Sequence, residues 1–550
     1  MSRAGDMPVI LHGYLLEGSG SNLWTRSIIQ SICRNGQTVH LMCQENHPEL
    51  YDFITEAVVY HADGRRETIL KREADYPGRC ILHKPDLGHI LPVYVPDKYE
   101  EFSDPRPMVN LSDREIKEYL EINRKVLTRI LEEHPVRVIL ANHAVLMSVV
   151  AQEVAGSRGI PYAIMPHGSA IEYAVKKDKR FFTYAQRAFE GAQRIYVIGE
   201  EIRKRVLGLF PGIPGLGSKM LELNLGVDTS LFNLVEKGDR KAKLEELYGV
   251  LEGVRRGKTR LQLQTMHHEL RADMSEESLL KLIRTSAAYN PKLTDADVEE
   301  KLRTVDWNHE KVILYVGRLI ASKGLHSILA ALPAILADEP DTRLIVVGHG
   351  PQREPLEVLI RALQHGYRDL VLKMVALGKE FEGSEEGDWT EMRLYLENLR
   401  AADRLDPYFS QAQRSLTGNR VLFTGYLTHR ELCCLFPACD VAVFPSAVAE
   451  AGPLVFLEAM ASGCFPIGTY FAGMAASIDA VSDALPPAVA DLMKLTPQAD
   501  QTVPDIISKV KRALYADSKH KAKLREVAIE KYDWQNISRK LTADLLALHT

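Results

Sequence analysis

The stretch VAVFPSAVAEAGPLVFLEAMASG, residues 441 to 463, reads as a buried strand followed closely by a helix. Its opening four residues form an unbroken apolar run, the pattern of a strand covered on both faces. Gly452 is placed to cap the helix and Pro453 to take its first position, where a missing N–H costs nothing. A helix that starts beside a strand's carboxyl end presents unpaired N–H groups and partial positive charge, a natural seat for phosphate or another anion. Glu450 falls in the loop before this helix and Glu458 about one and a half turns inside it, so both carboxylates can face one crevice. Carboxylates accept hydrogen bonds from hydroxyls, which suits sugar and ribose rings; taken singly, each would read as a solvated surface acid.

The same strand-then-helix pattern recurs along the chain. Strand candidates are MPVILHGYL (7 to 15), QTVHLMCQ (37 to 44), VRVILAN (136 to 142), YAIMPHG (162 to 168) and RIYVIGE (194 to 200), then KVILYVGR (311 to 318), TRLIVVGHG (342 to 350), RVLFTGY (420 to 426) and VAVFPSA (441 to 447). Alternation of such runs with amphipathic stretches is the mark of βαβ units around a parallel sheet. The expected organisation is α/β: a doubly wound domain over residues 1–234, a helical insertion over 235–305, and a second doubly wound domain over 306–530. That second domain is interrupted at about 366–418 by a further helical element, and a terminal helix spans 531–550. SEESLLKLIRTSAAYN (275 to 290) typifies the first insertion, with Leu and charged residues at helical spacing and no convincing strand.

With 550 residues, 46% hydrophobic and 26% charged, the chain has the composition of a globular protein. A net charge of −5 gives no basic footprint for a nucleic-acid backbone. Seven scattered cysteines without a C-x-x-C pair suggest neither a zinc framework nor a disulfide scaffold, and so a reducing, cytoplasmic setting. The early run VILHGYLL is broken by His12 and Gly13, well short of the roughly 18 apolar residues of a membrane span, and reads as a buried strand. RKRVLGLFPGIPGLGSK (203 to 219) reads as a loop because of its Pro and Gly content.

Two further segments carry candidate chemistry. In VILYVGRLIASKGLHSIL a strand ends at Gly317, Arg318 and Lys323 follow, and a helix begins near Gly324. Two cations at such a turn are what a leaving diphosphate requires, Arg through forked contacts and Lys as a point charge. Near the start, Gly18, Ser19 and Gly20 lie between the first strand and first helix, where glycine lets the backbone approach phosphate oxygens.

Together these segments resemble the retaining glycosyltransferases of sequence family four, which have the two-domain GT-B fold with Rossmann-like halves facing a central cleft. The resemblance rests on GSGSN (18 to 22), NHA (142 to 144), MPHG with His167, LNLGVDTSLF (223 to 232), VGRLIASKG, VVGHGP (346 to 351), FTGYLTHREL (423 to 432) and the E-x7-E pair. It covers residues 8–60, 135–233 and 310–550. It implies transfer of a hexose from a nucleotide-diphosphate sugar, with retention, without a metal or other cofactor and without a covalent enzyme intermediate. It assigns Arg318 and Lys323 to the donor diphosphate, Glu458 to the ribose, Glu450 to the donor sugar, Gly20 to the diphosphate and His167 to the neighbourhood of the sugar. Leu427 stands where the family contacts the base, and Gly452 and Leu454 lie at the donor end of the helix. His167 is the residue nearest to an acid–base role. Where many members carry Gly, Pro453 stands and donates no N–H. The acceptor belongs to the first domain, where HKPDLGHILPVYVPDKYEEFSDPRP (83 to 107) is a candidate recognition loop for a small polar or carbohydrate acceptor. KYDWQNISRKLTADLLAL resembles the family's last helix, which braces the first domain, with Trp534 as a packing anchor.

Two other readings stay open: a sugar-nucleotide epimerase of the same architecture, and a sugar-nucleotide-binding protein without turnover. The pair Asp295 and Asp297 has the Asp-x-Asp pattern of metal-dependent transferases, but Thr294 with Asp297 reads as a helix start instead. His267 and His268 read as solvated helix residues.

Overall fold

Along β1 (Met7–Leu11) and β8 (Val136–Asn142) successive side chains point to opposite sides of the sheet, and both sides are apolar. Val9, Leu11, Ile139 and Ala141 enter one core with residues of the helices Asp113–Glu133 and Met147–Arg158. Ile10, Val138 and Leu140 enter another with Trp24, Ile28, Ile537 and Leu541, from the helices Gly20–Arg34 and Trp534–Ala547. A parallel sheet covered on both faces produces such continuous apolar strands.

The computed structural model describes residues 7–548 apart from 18, 89, 95–101, 103, 288–291, 384–386 and 449–451. The chain divides into two units, Met1–Gly226 with Lys531–Thr550, and Val227–Glu530. The residues from Val227 to Leu234 thus go with the second unit, as does the whole of 235–305.

The first unit adds β2 (Thr38–Met42), β3 (Ile54–Tyr60), β4 (Arg66–Lys71), β5 (Arg79–Pro85), β6 (Ile90–Val93), β7 (Asp104–Pro107), β9 (Tyr162–Met165), β10 (Arg194–Val197) and β11 (Met220–Glu222). Nine of its strands form one sheet in the order β11-β10-β9-β8-β1-β2-β5-β3-β4, parallel except at the β3 and β4 pairing. The five strand segments expected in this half are all strands. Within the segment 83–107, where a recognition loop is expected, residues 83–85 close β5 and β6 and β7 pair in parallel as a small separate sheet, while 89, 95–101 and 103 lie outside the described residues. Within 203–219, residues up to Leu209 continue the helix Gly199–Leu209, so the Pro and Gly cluster ends a helix rather than making the whole stretch a loop.

The second unit holds β12 (Lys311–Val316), β13 (Thr342–Val347), β14 (Val421–Gly425), β15 (Val441–Phe444), β16 (Phe465–Thr469) and β17 (Lys494–Leu495) in the order β14-β13-β12-β15-β16-β17, with parallel pairings throughout. Residues 235–305 form the helices Arg240–Val250, Arg260–Glu269, Glu276–Ala287 and Val298–Arg303. The last of these starts with Asp297 at its cap, and the Thr294 hydroxyl donates instead to Tyr426 O at 2.9 Å, which displaces the helix start expected at Thr294. Buried ion pairs fasten the segment: Arg240 to Asp440 at 2.7 Å, Arg353 to Asp295 at 2.8 Å, and Lys258 to Glu354. The interruption at 366–418 folds as the helices Arg368–Leu377, Thr390–Ala401 and Leu405–Ser415.

The helix Trp534–Ala547 is held on the first unit by Asn35 Nδ2 donating to Ser538 Oγ at 2.8 Å and by Arg194 beside Asp544 at 3.2 Å. Trp534 is buried, and a Cβ on Gly226 would stand 2.3 Å from its ring. Trp534→Ala is therefore expected to destabilise the first unit by about 3–5 kcal/mol, and Gly226→Ala by about 1–3 kcal/mol through overpacking. Denaturant unfolding followed by tryptophan fluorescence and circular dichroism checks both; unchanged midpoints would show that the ring is not an anchor.

Candidate functional site

In the second unit the chain runs from β12 outward to β13 and β14, then returns to place β15 on the other side of β12. The crevice outside the carboxyl ends of two strands at such a reversal is where open α/β sheets bind ligands. Arg318 follows β12 and the loop carrying Glu450 follows β15, so the sequence candidates bracket this point.

Close backbone contact builds the floor. Gly317 N–H donates to Val347 O at 3.0 Å, Leu319 N–H to His349 O at 2.8 Å, and Gly348 N–H to Gly425 O at 2.9 Å. A Cβ on Gly348 would stand 1.9 Å from Gly317 O, and one on Gly350 2.4 Å from Leu319 O. Gly324, at φ +74°, comes so near the next loop that a Cβ would lie 2.0 Å from Pro445 O. Ala447 N–H donates to Ser322 O at 2.8 Å, tying the β15 loop to the β12 loop.

Arg318 is exposed on this floor, with its carbonyl accepting from Tyr315 Oη at 3.0 Å. Lys323 is half-buried at the end of a single 3-10 turn, Ala321–Lys323. The helix after β15 spans Leu454–Ala461, so Pro453 is its cap rather than its first residue, with Gly452 one place earlier and Leu454 opening the helix. Leu427 is buried between β14 and the helix His429–Leu435, which Thr428 and Glu431 cap reciprocally. Glu450 lies outside the described residues, as does Gly18.

Glu458 is no surface acid: only 3% of it is exposed. His429 Nδ1 lies 3.2 Å from its Oε1, and Oε2 has no hydrogen-bond partner among the described residues. Burial pushes its pKa above the ordinary carboxylate value, with His429 opposing the shift. A buried acceptor oxygen left unsatisfied costs free energy, a cost that a hydroxyl donor bound there would relieve.

Four residues missed in the sequence share this place. His429 stands two places after Leu427 in the quoted FTGYLTHREL and contacts the Glu458 carboxylate. His349, within VVGHGP, packs edge-on against Tyr426 with ring centres 5.3 Å apart, while Lys292 Nζ lies 4.6 Å from the Tyr426 ring centre. Burial lowers the His349 pKa, and Lys292 and Arg318 lower it further. Glu382, from the second interruption, accepts from Ala321 N–H and from Gln352 Nε2, bracing the turn that holds Lys323. Spacing gave no signal for Lys292 or Glu382, because both arrive from segments remote in sequence.

In the first unit, His12, His143 and His167 follow β1, β8 and β9. The ring centres of His143 and His167 are 4.7 Å apart, and those of His12 and His143 5.9 Å. His143 is buried at φ +72°, and neither of its ring nitrogens has a partner among the described residues; the same holds for His167 Nε2. Burial first, then His12, lowers the His167 pKa to about 3, which leaves the ring neutral near pH 7. Gly20 is the first residue of its helix, behind the Ser19 cap, and a Cβ there would meet nothing within 4 Å.

The Asp-x-Asp pair is spent on cations: Lys301 lies 2.7 Å from both Asp295 and Asp297. His267 is not solvated as expected; half-buried, it lines a cavity of about 550 Å³ with Arg260, Arg361 and His365. His268 is exposed.

Residues 297–371 and 401–481 match the family described as Glycosyl transferases group 1. Over 226 residues the chain is 24% identical to glycogen synthase of Mycobacterium tuberculosis (strain ATCC 25618 / H37Rv), a stretch that is 41% of this chain and 40% of that one. The match thus spans less than half the length of that relative. In fold the chain is similar to a glycosyltransferase from Rickettsia africae ESF-5, at 13% identity, 99% coverage of each chain and a TM-score of 0.52. It is also similar to sucrose-phosphate synthase from Thermosynechococcus elongatus, at 17% identity, 99% coverage of each and a TM-score of 0.50. The fold class is therefore GT-B, with two Rossmann-like units. Within the second unit it is residues 297–371 and 401–481 that carry the likeness to the glycosyl transferases group 1.

Because Glu458 has a folded-state pKa above its unfolded one, ionisation works against the fold. Its contribution to stability is highest below the ordinary carboxylate pKa and declines as pH rises through that value toward the folded one. Glu458→Gln is thus expected to melt higher than wild type at pH 7 to 8, with the gap closing toward pH 4. A pH series of calorimetric melts checks this; a gap that widens on acidification would contradict it.

Proposed function

We propose that the protein transfers a hexosyl group from a nucleotide-diphosphate sugar to an acceptor hydroxyl, with retention of configuration and without a metal in the reaction. The observation that carries the reading is the buried Glu458 carboxylate, with Oε1 beside His429 and Oε2 without a partner among the described residues, in the unit whose strand ends carry Arg318 and Lys323.

In this reading Glu458 accepts from the ribose hydroxyls, and Arg318 and Lys323 stabilise the diphosphate as the bond from the sugar's anomeric carbon to the phosphate oxygen breaks. The leaving diphosphate takes the bonding electron pair. The acceptor oxygen attaches to the anomeric carbon on the same face, and its proton passes to a phosphate oxygen of the leaving group. Fixed charges are worth most when aimed where charge develops. Leu427, Gly452 and Leu454 line the donor's path, and Glu450 takes the sugar hydroxyls. The acceptor is a small polar or carbohydrate molecule rather than nucleic acid. No helix among the described residues is long and apolar enough to cross a membrane. All seven cysteines are free and buried, which supports a reducing, cytoplasmic setting.

Arg318→Ala and Lys323→Ala are each expected to lower turnover by about 10²- to 10³-fold at saturating donor, with folding intact. Glu458→Ala should weaken binding of the free nucleoside diphosphate by about 1.5–3 kcal/mol, whereas Glu450→Ala should spare it and impair the intact donor. Release of nucleoside diphosphate from a panel of nucleotide sugars, with and without acceptor sugars and in excess chelator, tests the whole reading. Near-normal rates in both cation variants, or activity that disappears in chelator and returns with Mg²⁺ or Mn²⁺, would overturn it.

A further inference from the structure

Away from the strand ends, His40, His83 and His134 bring one ring nitrogen each to within 4.8 Å of the others. Three different elements supply them. His40 lies on β2 and His83 on the neighbouring β5; Met42 pairs with His83, and His40 shares Met42's side of the strand, so both imidazoles stand on the same face of the sheet. His134 is the residue that ends the helix Asp113–Glu133, which packs over that face.

The detailed geometry is that of ligands. His83 Nδ1 is 2.8 Å from Tyr60 Oη, which leaves Nε2 to face the cluster, and His40 Nδ1 lies 2.8 Å from that Nε2. The His40 and His134 ring centres are 4.3 Å apart. A hydrogen-bonded chain alone is an incomplete account of these residues, since His40 Nε2 is buried without a partner among the described residues.

We infer that His40, His83 and His134 form a binding site for a divalent transition-metal ion of the zinc type, with solvent as the fourth ligand. Imidazole nitrogens bind zinc at about 2.0–2.1 Å in tetrahedral sites. Ligand nitrogens then sit about 3.4 Å apart, so His40 and His83 need separate by only about half an ångström. His134 is half-buried, which opens one side of the site to water. Tyr60 plays the part of the outer partner that fixes a ligand ring's tautomer and orientation. None of these residues belongs to the donor site, and the ion ties β2 and β5 to the end of the overlying helix without entering the transfer reaction.

The test uses the full chain, without an affinity tag, stripped of metal with a chelator and titrated with Zn²⁺ against a chromophoric competitor. Co²⁺ serves as a second probe, read by its visible absorption. One equivalent of Zn²⁺ per chain, a tetrahedral Co²⁺ spectrum and a higher Tm with metal are expected. His134→Asn, at a half-exposed helix end where Asn is well tolerated, should lower the affinity at least 100-fold while the metal-free melt stays as in wild type. Tyr60→Phe should lower it about 10-fold. Absence of stoichiometric binding to folded wild type, or equal affinity in wild type and His134→Asn, would overturn the assignment.

Discussion

Everything proposed for the second unit depends on how closely its strand-end loops approach one another. The loops after β12 and β13 meet main chain to main chain, because Gly348 and Gly350 have no side chains to hold them apart, and Gly348 N–H reaches on to Gly425 O at the end of β14. A Cβ at Gly348 or Gly350 would overlap a carbonyl oxygen outright, and the penalty would fall on the position of Arg318 and Lys323. The cations are thus placed largely by main-chain contacts, with the Glu382 carboxylate bracing the turn that holds Lys323. A flexible Lys or Arg contributes to charge stabilisation only when its anchor is fixed beforehand.

Against that rigid floor, Glu458 is the strained element. A carboxylate kept out of water with one oxygen unsatisfied is a local cost that the surrounding apolar packing must sustain. Such costs collect where a ligand completes the hydrogen bonding. The histidines of the first unit follow the same logic with neutral groups: His143 sits at a positive φ with neither nitrogen partnered among the described residues, surrounded by Tyr14, Tyr94, His12 and His167.

Much of this was legible in the sequence, for reasons that are local. Continuous apolar runs such as KVILYV and VAVF announce strands buried on both faces, and all nine expected segments contain strands. Strand β4 escaped notice because it is largely exposed and polar, which breaks the apolar rhythm. Arg318, Lys323 and Glu458 could be picked out because each follows a strand within one βα unit. His429 was within reach, lying in a quoted motif, but its role depends on a contact with a helix some thirty residues later. Lys292 and Glu382 were beyond reach, since both come from insertions whose placement is set by tertiary packing. Burial also explains the misjudged histidine: His267 looks like a surface residue by type, and it is partly enclosed.

The buried pairs that fasten residues 235–305 carry an evolutionary consequence. Asp440, Arg353 and Glu354 belong to the body of the second unit, yet their partners Arg240, Asp295 and Lys258 all come from the inserted segment. Trimming the insertion would take the Lys258 ammonium from the buried Glu354 and leave Arg353 only Glu357 at 2.7 Å and Asp440 only Lys521 at 3.7 Å, which is costlier than never having had the pairs. Gain of the segment and gain of these charges are therefore locked together, like a ratchet. A lineage that acquired both could not discard the helices without first changing the interior residues to uncharged ones, so the segment's persistence among descendants needs no function of its own.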